Sequence, residues 1–295
     1  RVTMDRIDEG ISLFIFGLAK KVLLADGISA LWYDVIGHDV NGVWEAGVGL
    51  SNASTPLVWL GIISYALQIY FDFSGYSDMA IGMGQMLGFH FPENFNYPYT
   101  AASVTEFWRR WHISLTTWFR EYLYIPLGGS RKGTWRTVRN IFLVWFCTGF
   151  WHGASWNFIL WGLHFFVWLM LEKYLLRDFL QKLPSWLRHF YTLVVVFVGW
   201  GVFAMEDLTV CAGYFKTCFG SGTLWSAADG YYLTAYGLTL LLLTVGSTRL
   251  PRKVWNRLPE RARDLLGPLL MAAGLVICTA YLVDGSYNPF LYFRF

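Results

Sequence analysis

The chain has 295 residues, of which 55% are hydrophobic and 15% charged, whereas a soluble domain carries about a quarter charged residues. That deficit, with sixteen Trp and seventeen Tyr, argues against a soluble domain and for a membrane protein, whose interfaces collect amphipathic rings. The net charge of +3 offers no electrostatic footprint for nucleic acid, and the basic residues stand in short clusters between apolar segments.

A transmembrane helix needs roughly 20 mainly apolar residues. In chain order, residues 11–19 are apolar but run into Lys20 and Lys21, which makes them a weaker span. Residues 52–71 are uncharged and are followed, after Asp72 and Asp78, by a second apolar stretch at 79–92. Acids at such depth either face a wet cavity or pair with a cation. Alternatively, FSGYS forms a turn and Asp78 caps the next helix. Ala80, Gly84 and Gly88 form a small-xxx-small ladder, for which helix packing is the expected meaning. The sequon Asn52-Ala53-Ser54 is short enough to arise by chance.

Residues 103–122 are too charged to span. Phe107, Trp111, Leu115, Trp118 and Tyr122 recur at helical spacing, as do Trp108, His112, Leu115 and Phe119, so one amphipathic helix at the membrane surface, or wedged against the bundle, is expected. Ser103 or Thr105 would cap it, and Glu106 would pair with Arg110. Pro126 and Gly128-Gly129 then end it.

Residues 140–171 are uncharged apart from two histidines. As one straight helix they would measure about 48 Å, beyond a ~30 Å hydrocarbon core. Either the helix is strongly tilted, or it breaks near 149–153 into two arms. In the second case residues 141–151 rise only about 16 Å, and a re-entrant hairpin would bring Trp151-His152-Gly153 near the midplane. Arg131, Lys132, Arg136 and Arg139 precede this run, and Lys173, Arg177, Lys182 and Arg188 follow it. The positive-inside rule puts both flanks on the cytoplasmic side, which favours the hairpin. Residues 190–205 would then cross outward, 230–248 would return to a basic loop at 249–263, and 265–283 would cross last. Without a repeat or a low-complexity linker, residues 1–295 read as one all-α, polytopic membrane domain. The initial Arg suggests that an N-terminal part is missing.

His152 is the first candidate for chemistry, since an ionisable residue in an uncharged run is costly in lipid. A neutral imidazole can take a proton from a hydroxyl. The competing reading is a histidine that only bonds between helices. His112 alone reads as a satisfied interfacial histidine, and His38, His90, His164 and His189 as packing or loop residues. The two leading histidines lack metal-ligand spacing, as do Cys147, Cys211, Cys218 and Cys278, so no metal is expected. A GxSxG elbow, a Walker loop and a dinucleotide fingerprint are likewise missing from the sequence.

Four stretches carry a resemblance: YFDFSGYSDMAIGMGQMLGFHFPENFNYPY, FWRRWHISLTTWFREYLYIPLGGSRKG, GFWHGASWNFILWGLHF and the terminal NPFLYFRF. In this order they resemble the membrane-bound O-acyltransferase family, in particular its bacterial alginate O-acetylation branch. The resemblance implies a ring of helices around a tunnel, with the first several helices of the family missing from this chain. It implies His152 as catalytic histidine and His112 as a second polar active-site residue, with Asp72, Asp78, Trp108 and Trp151 along the tunnel. Acyl transfer would run from a cytoplasmic thioester, acetyl-CoA or an acyl carrier protein, with no tightly bound cofactor. Arg109, Arg110 and Arg120 would neutralise the phosphates of a coenzyme A donor, unless they only form surface salt bridges. The acceptor would be an extracytoplasmic polysaccharide, reached through a partner acetyltransferase, at the bacterial inner membrane. A transporter or flippase for lipid-linked sugars, or a scaffold of an export complex, are the rival classes.

Overall fold

The structure, a computed structural model, describes residues 2–40, 43–49 and 54–284. Asn52, Ala53 and the terminal NPFLYFRF lie outside them. In chain order, α1 (Met4–Ala19) continues through a π-helical turn, Lys20–Ala25, into α2 (Asp26–Val35). A short hairpin of β1 (Gly37–Val40) and β2 (Val43–Ala46) follows, a departure from helix that the all-α expectation did not contain. Then come α3 (Thr55–Met86), α4 (Val104–Trp108) and α5 (Ile113–Phe119), the last running into a π-helical turn at Arg120–Tyr124. Next, α6 (Thr134–His152) and α7 (Trp156–Leu171) are separated by three residues, and α7 passes through Glu172–Leu176 into α8 (Arg177–Lys182). The remainder is α9 (Ser185–Ala204), α10 (Leu208–Lys216), α11 (Ala227–Gly246), α12 (Leu250–Arg257) and α13 (Glu260–Asp284).

Among the described residues, Thr55–Met86, Trp156–Lys182, Ser185–Ala204 and Glu260–Asp284 are long and apolar enough to cross a membrane. The bent pair α11–α12, with 73° between its helices, passes the same test only when taken together, as a broken span or a re-entrant loop. The protein is therefore an all-α polytopic membrane protein. Its helices form two compact units, each discontinuous in sequence.

The first unit draws on Arg1–Trp32, Ser64–Asn94 and the described part of Tyr231–Phe295. One sequence expectation changes here. FSGYS is not a turn: α3 runs unbroken for 32 residues, about 48 Å at helical rise. Lys20 and Lys21 stand where α1 passes into its π-helical turn, and both find acidic partners. Lys20 Nζ lies 2.6 Å from Asp78, and Lys21 Nζ lies 2.7 Å from Asp26 and 2.8 Å from Asp72. Charges that would be costly alone in an apolar setting are tolerated once paired.

The packing ladder also shifts. A Cβ on Gly10 would sit 2.6 Å from the Gly82 carbonyl oxygen, and one on Gly17 would sit 2.5 Å from that of Gly75. These two pairs, seven residues apart on each helix, let the α1 and α3 backbones touch. Of the expected Ala80–Gly84–Gly88 ladder, Gly84 faces the Phe91 ring and Gly88 lies beyond the helix with φ +84°.

The second unit draws on Tyr33–Ile63 and Phe95–Gly230. Its centre is the α6–α7 hairpin, so the 140–171 run breaks as the two-arm reading expected. A Cβ on Gly149 would lie 2.5 Å from the Phe158 carbonyl oxygen, and one on Gly162 would lie 2.4 Å from that of Trp145. Only glycine allows the arms to approach this closely. The first arm is longer than the 141–151 segment read from hydropathy, because its basic first turn is helical too: 19 residues in all, about 28 Å. Helix α9 packs along α7, where Gly199 admits the Phe165 ring.

Candidate functional site

His152 is the last residue of α6, and Gly153 caps that helix through its N–H to the Phe150 carbonyl. A Cβ at Gly153 would strike the Phe158 ring at 2.7 Å, so the Trp-His-Gly sequence lets the chain reverse tightly beside the histidine. The imidazole is half-buried and enclosed by rings from both arms and from α9. Centroids of Trp161 and Phe203 lie 5.0 and 5.1 Å away, both edge-on, with Trp151 at 4.9 Å and Phe158 at 6.2 Å. Asn157, fully buried, donates from Nδ2 to the Phe203 carbonyl at 2.8 Å, fixing the start of α7 to the end of α9.

The expected amphipathic helix at 103–122 does not exist as one element. His112 adopts a left-handed backbone, φ +45° and ψ +56°, between α4 and α5. That conformation costs a non-glycine residue roughly 1–2 kcal/mol and ends one helix before the next begins. The chain is held there by hydrogen bonds from Asn96 N to the Arg110 carbonyl, 2.9 Å, and from Thr116 N to the His112 carbonyl, 3.0 Å. The apolar stripe splits accordingly. Phe107 and Trp111 are buried in the unit, while Trp118 and Tyr122 are 52% and 68% exposed. The end signals were correct: the Ser103 hydroxyl accepts from Glu106 N at 3.0 Å, and Glu106 pairs with Arg110.

The break carries His112 to the α6–α7 turn. Its ring lies 6.4 Å from that of Trp151, and its Nδ1 is 3.3 Å from the Ser114 hydroxyl. Two imidazoles forty residues apart in sequence therefore both neighbour the ring of Trp151, which is 49% exposed. Trp108 is buried behind them, its ring 4.7 Å from Trp145, 5.6 Å from Trp161 and 4.8 Å from Phe165. Chemically, two imidazoles in an aromatic surround can move a proton and donate or accept a hydrogen bond at one reacting centre.

The other sequence candidates are placed differently. Asp72 and Asp78 belong to the first unit, in the ion pairs described above. Arg110 donates to the Thr100 hydroxyl at 2.8 Å as well as to Glu106, whereas Arg109 and Arg120 are exposed. His164 and His189 lie against the carbonyls of Val195 and Ala101, at 3.0 and 3.1 Å, the packing role expected of them. Sequence reasoning missed Trp161, Phe203 and Asn157, which build the wall around His152. Trp161 and Asn157 left a trace, lying in the same small-residue-rich motif as His152, whereas Phe203 left none.

Apolar spans and a broken hairpin with two half-buried histidines near its turn define the class as a polytopic membrane protein. Residues 52–212 match the membrane-bound O-acyltransferase family, MBOAT, and the chain belongs to that family. It is 38% identical over 321 aligned residues to the "Probable alginate O-acetylase AlgI" of Pseudomonas putida, covering 99% of this chain and 62% of that protein. Similarity to the protein of that name from Azotobacter vinelandii reaches 44% identity, over 82% of this chain and 46% of the relative. The "Peptidoglycan O-acetyltransferase" of Helicobacter pylori is 39% identical over 68% of this chain and 36% of its own length. The chain thus spans about half the length of such curated relatives.

Proposed function

We propose that this chain supplies the reacting centre of a membrane O-acyltransferase that acetylates an extracytoplasmic polysaccharide. The observation that carries the reading is the placement of His112 and His152 against the same Trp151 ring at the turn of the α6–α7 hairpin. The names of the relatives support a polymer acceptor: two are named probable alginate O-acetylase and one peptidoglycan O-acetyltransferase. The donor is a cytoplasmic thioester, acetyl-CoA or an acyl carrier protein. Delivery to the polymer runs through a partner acetyltransferase outside the membrane, and the protein resides in the bacterial inner membrane.

His152 takes the proton of the acceptor hydroxyl as its oxygen attacks the thioester carbonyl. His112 orients that hydroxyl or donates to the carbonyl oxygen as negative charge builds there. The carbon–sulfur bond then breaks, and the thiolate recovers the proton from His152. One ester and one free thiol result. The surrounding rings exclude water that would otherwise compete for the thioester. Arg109 and Arg120 remain available for donor phosphates. Arg110 is committed to Glu106 and Thr100.

The test is polymer acetyl content in cells lacking the gene, complemented with wild type or His152→Ala at equal membrane abundance. Rescue by wild type alone is expected. Equal rescue by both would dismiss His152 and revive a scaffold or transporter.

A further inference from the structure

Glu172 stands at the end of α7, where an apolar helix gives way to the π-helical Glu172–Leu176 turn. Only 7% of its surface is exposed. Its carboxylate reaches across to a segment far away in sequence. Oε1 accepts from Val104 N at 2.6 Å, and Oε2 accepts from Thr105 N at 2.9 Å and from the Thr105 hydroxyl at 2.7 Å. A helix start leaves its first amide protons without intrahelical partners, and an anion there is favoured by the helix dipole as well. Glu172 thus caps α4 from outside, alongside the cap that Ser103 gives from within.

The cap lies one short helix away from His112. Helix α4 has five residues, too few to hold its shape unaided in a chain where isolated helices need about 12–15. What it carries matters to the reacting centre. Trp108 at its end packs on Trp145, Trp161 and Phe165, and Trp161 in turn packs edge-on against His152. Beyond Trp108, three residues lead to the left-handed His112. A strained backbone persists only where its surroundings over-determine it. The π-helical turn at Glu172 has the same logic, since such irregular turns recur at functional sites.

We propose that Glu172 is a positioning residue: by capping α4 it sets the backbone that presents His112 to His152. This rests on the acyl-transfer reading only for its catalytic consequence, because the anchoring of residues 104–112 is measurable without it. The carboxylate is not placed to touch substrate. It acts through Val104 and Thr105.

The experiment compares wild type with Glu172→Gln, Glu172→Ala and the milder Thr105→Val in the detergent-solubilised protein. Hydrogen–deuterium exchange is read peptide by peptide, and acetyl transfer is measured per folded molecule. Expected is faster exchange confined to 104–112, largest for Glu172→Ala, while 141–152 keeps its protection. kcat falls about tenfold for Glu172→Ala and less for Glu172→Gln, which retains one acceptor oxygen, with the donor KM within twofold. Exchange unchanged at 104–112, or raised uniformly over all helices, overturns the proposal. So does an unaltered kcat in a Glu172→Ala protein whose His152→Ala counterpart is dead. If wild type itself transfers no acetyl group, the acyl-transfer reading fails, and the exchange data still decide whether Glu172 anchors the segment. Should Glu172→Ala not fold, Thr105→Val carries both readouts.

Discussion

Lys21 Nζ sits 2.8 Å from Asp72, a carboxylate whose side chain is 2% exposed, and 2.7 Å from Asp26, which is 27% exposed. One cation thus serves two acids at the seam where α1 and α3 touch through glycines. Breaking a buried pair by removing one partner costs about 3–5 kcal/mol, because a charge is left uncompensated. The loss should therefore be unequal. Lys21→Met strands both carboxylates and should lower the melting temperature most, whereas Asp72→Asn leaves Lys21 paired with Asp26 and should cost less. Thermal unfolding in detergent measures the order, and equal losses would contradict the shared-cation arrangement.

The α6–α7 hairpin depends on two glycines whose Cα hydrogens face the opposite backbone. A methyl group at Gly149 or Gly162 would lie about as close to a carbonyl oxygen as the 2.5 and 2.4 Å measured for an added Cβ. Backbone cannot yield as a flexible side chain can, so overpacking should cost about 1–3 kcal/mol or more at each site. Gly149→Ala and Gly162→Ala should both lower stability. Gly27→Ala, with open space around its Cβ, is the control expected to be neutral or stabilising. Melting curves of the three variants provide the comparison.

Arg110 is the one arginine of the WRRWH sequence with partners on both sides, Glu106 and Thr100. Arg110→Gln should then reduce stability by about 1 kcal/mol, as loss of a part-buried helix pair does, and leave the donor KM unchanged. Arg109→Gln and Arg120→Gln should keep stability and raise the donor KM a few-fold if these exposed side chains meet its phosphates. Steady-state kinetics with acetyl-CoA separate the two patterns. A KM that rises only in Arg110→Gln would reverse the assignment.

Hydropathy made most of the spans legible, because burying some twenty apolar residues in lipid is a signal summed over many side chains. The break in 140–171 was also readable, from helix length against bilayer thickness and from basic residues on both flanks. The continuity of α3 was not. Asp72 and Asp78 look like interruptions until their cations are found on α1, and pairing between distant segments leaves no local trace. The same holds for Glu172, whose amide partners lie 68 and 67 residues earlier. At 103–122 periodicity misled for a different reason. A single left-handed residue resets the helical phase, so that Phe107 and Trp118 share a stripe in sequence and opposite environments in space. His152 was legible because it is a polar residue in an apolar run; His112 acquired its place only through that backbone reversal.

The left-handed conformation of His112 separates its side chain from its backbone as experimental variables. Asn tolerates φ above zero far better than other non-glycine residues, and a β-branched residue tolerates it worst. His112→Asn should fold with near-native stability, whereas His112→Val should lose about 1–3 kcal/mol, the range for a strained backbone position. His112→Gly relieves the backbone altogether while deleting the imidazole. If the ring orients the acceptor or steadies the oxyanion, stability and activity will part company. His112→Gly should melt no lower than wild type, yet transfer acetyl groups about a hundredfold more slowly, as loss of one oxyanion donor does. His112→Asn, which keeps a hydrogen-bonding group on the same backbone, should recover part of that loss. Melting curves and transfer rates on the same preparations check both halves. Full activity in His112→Gly would leave His112 as a turn residue only, and His152 to act without it.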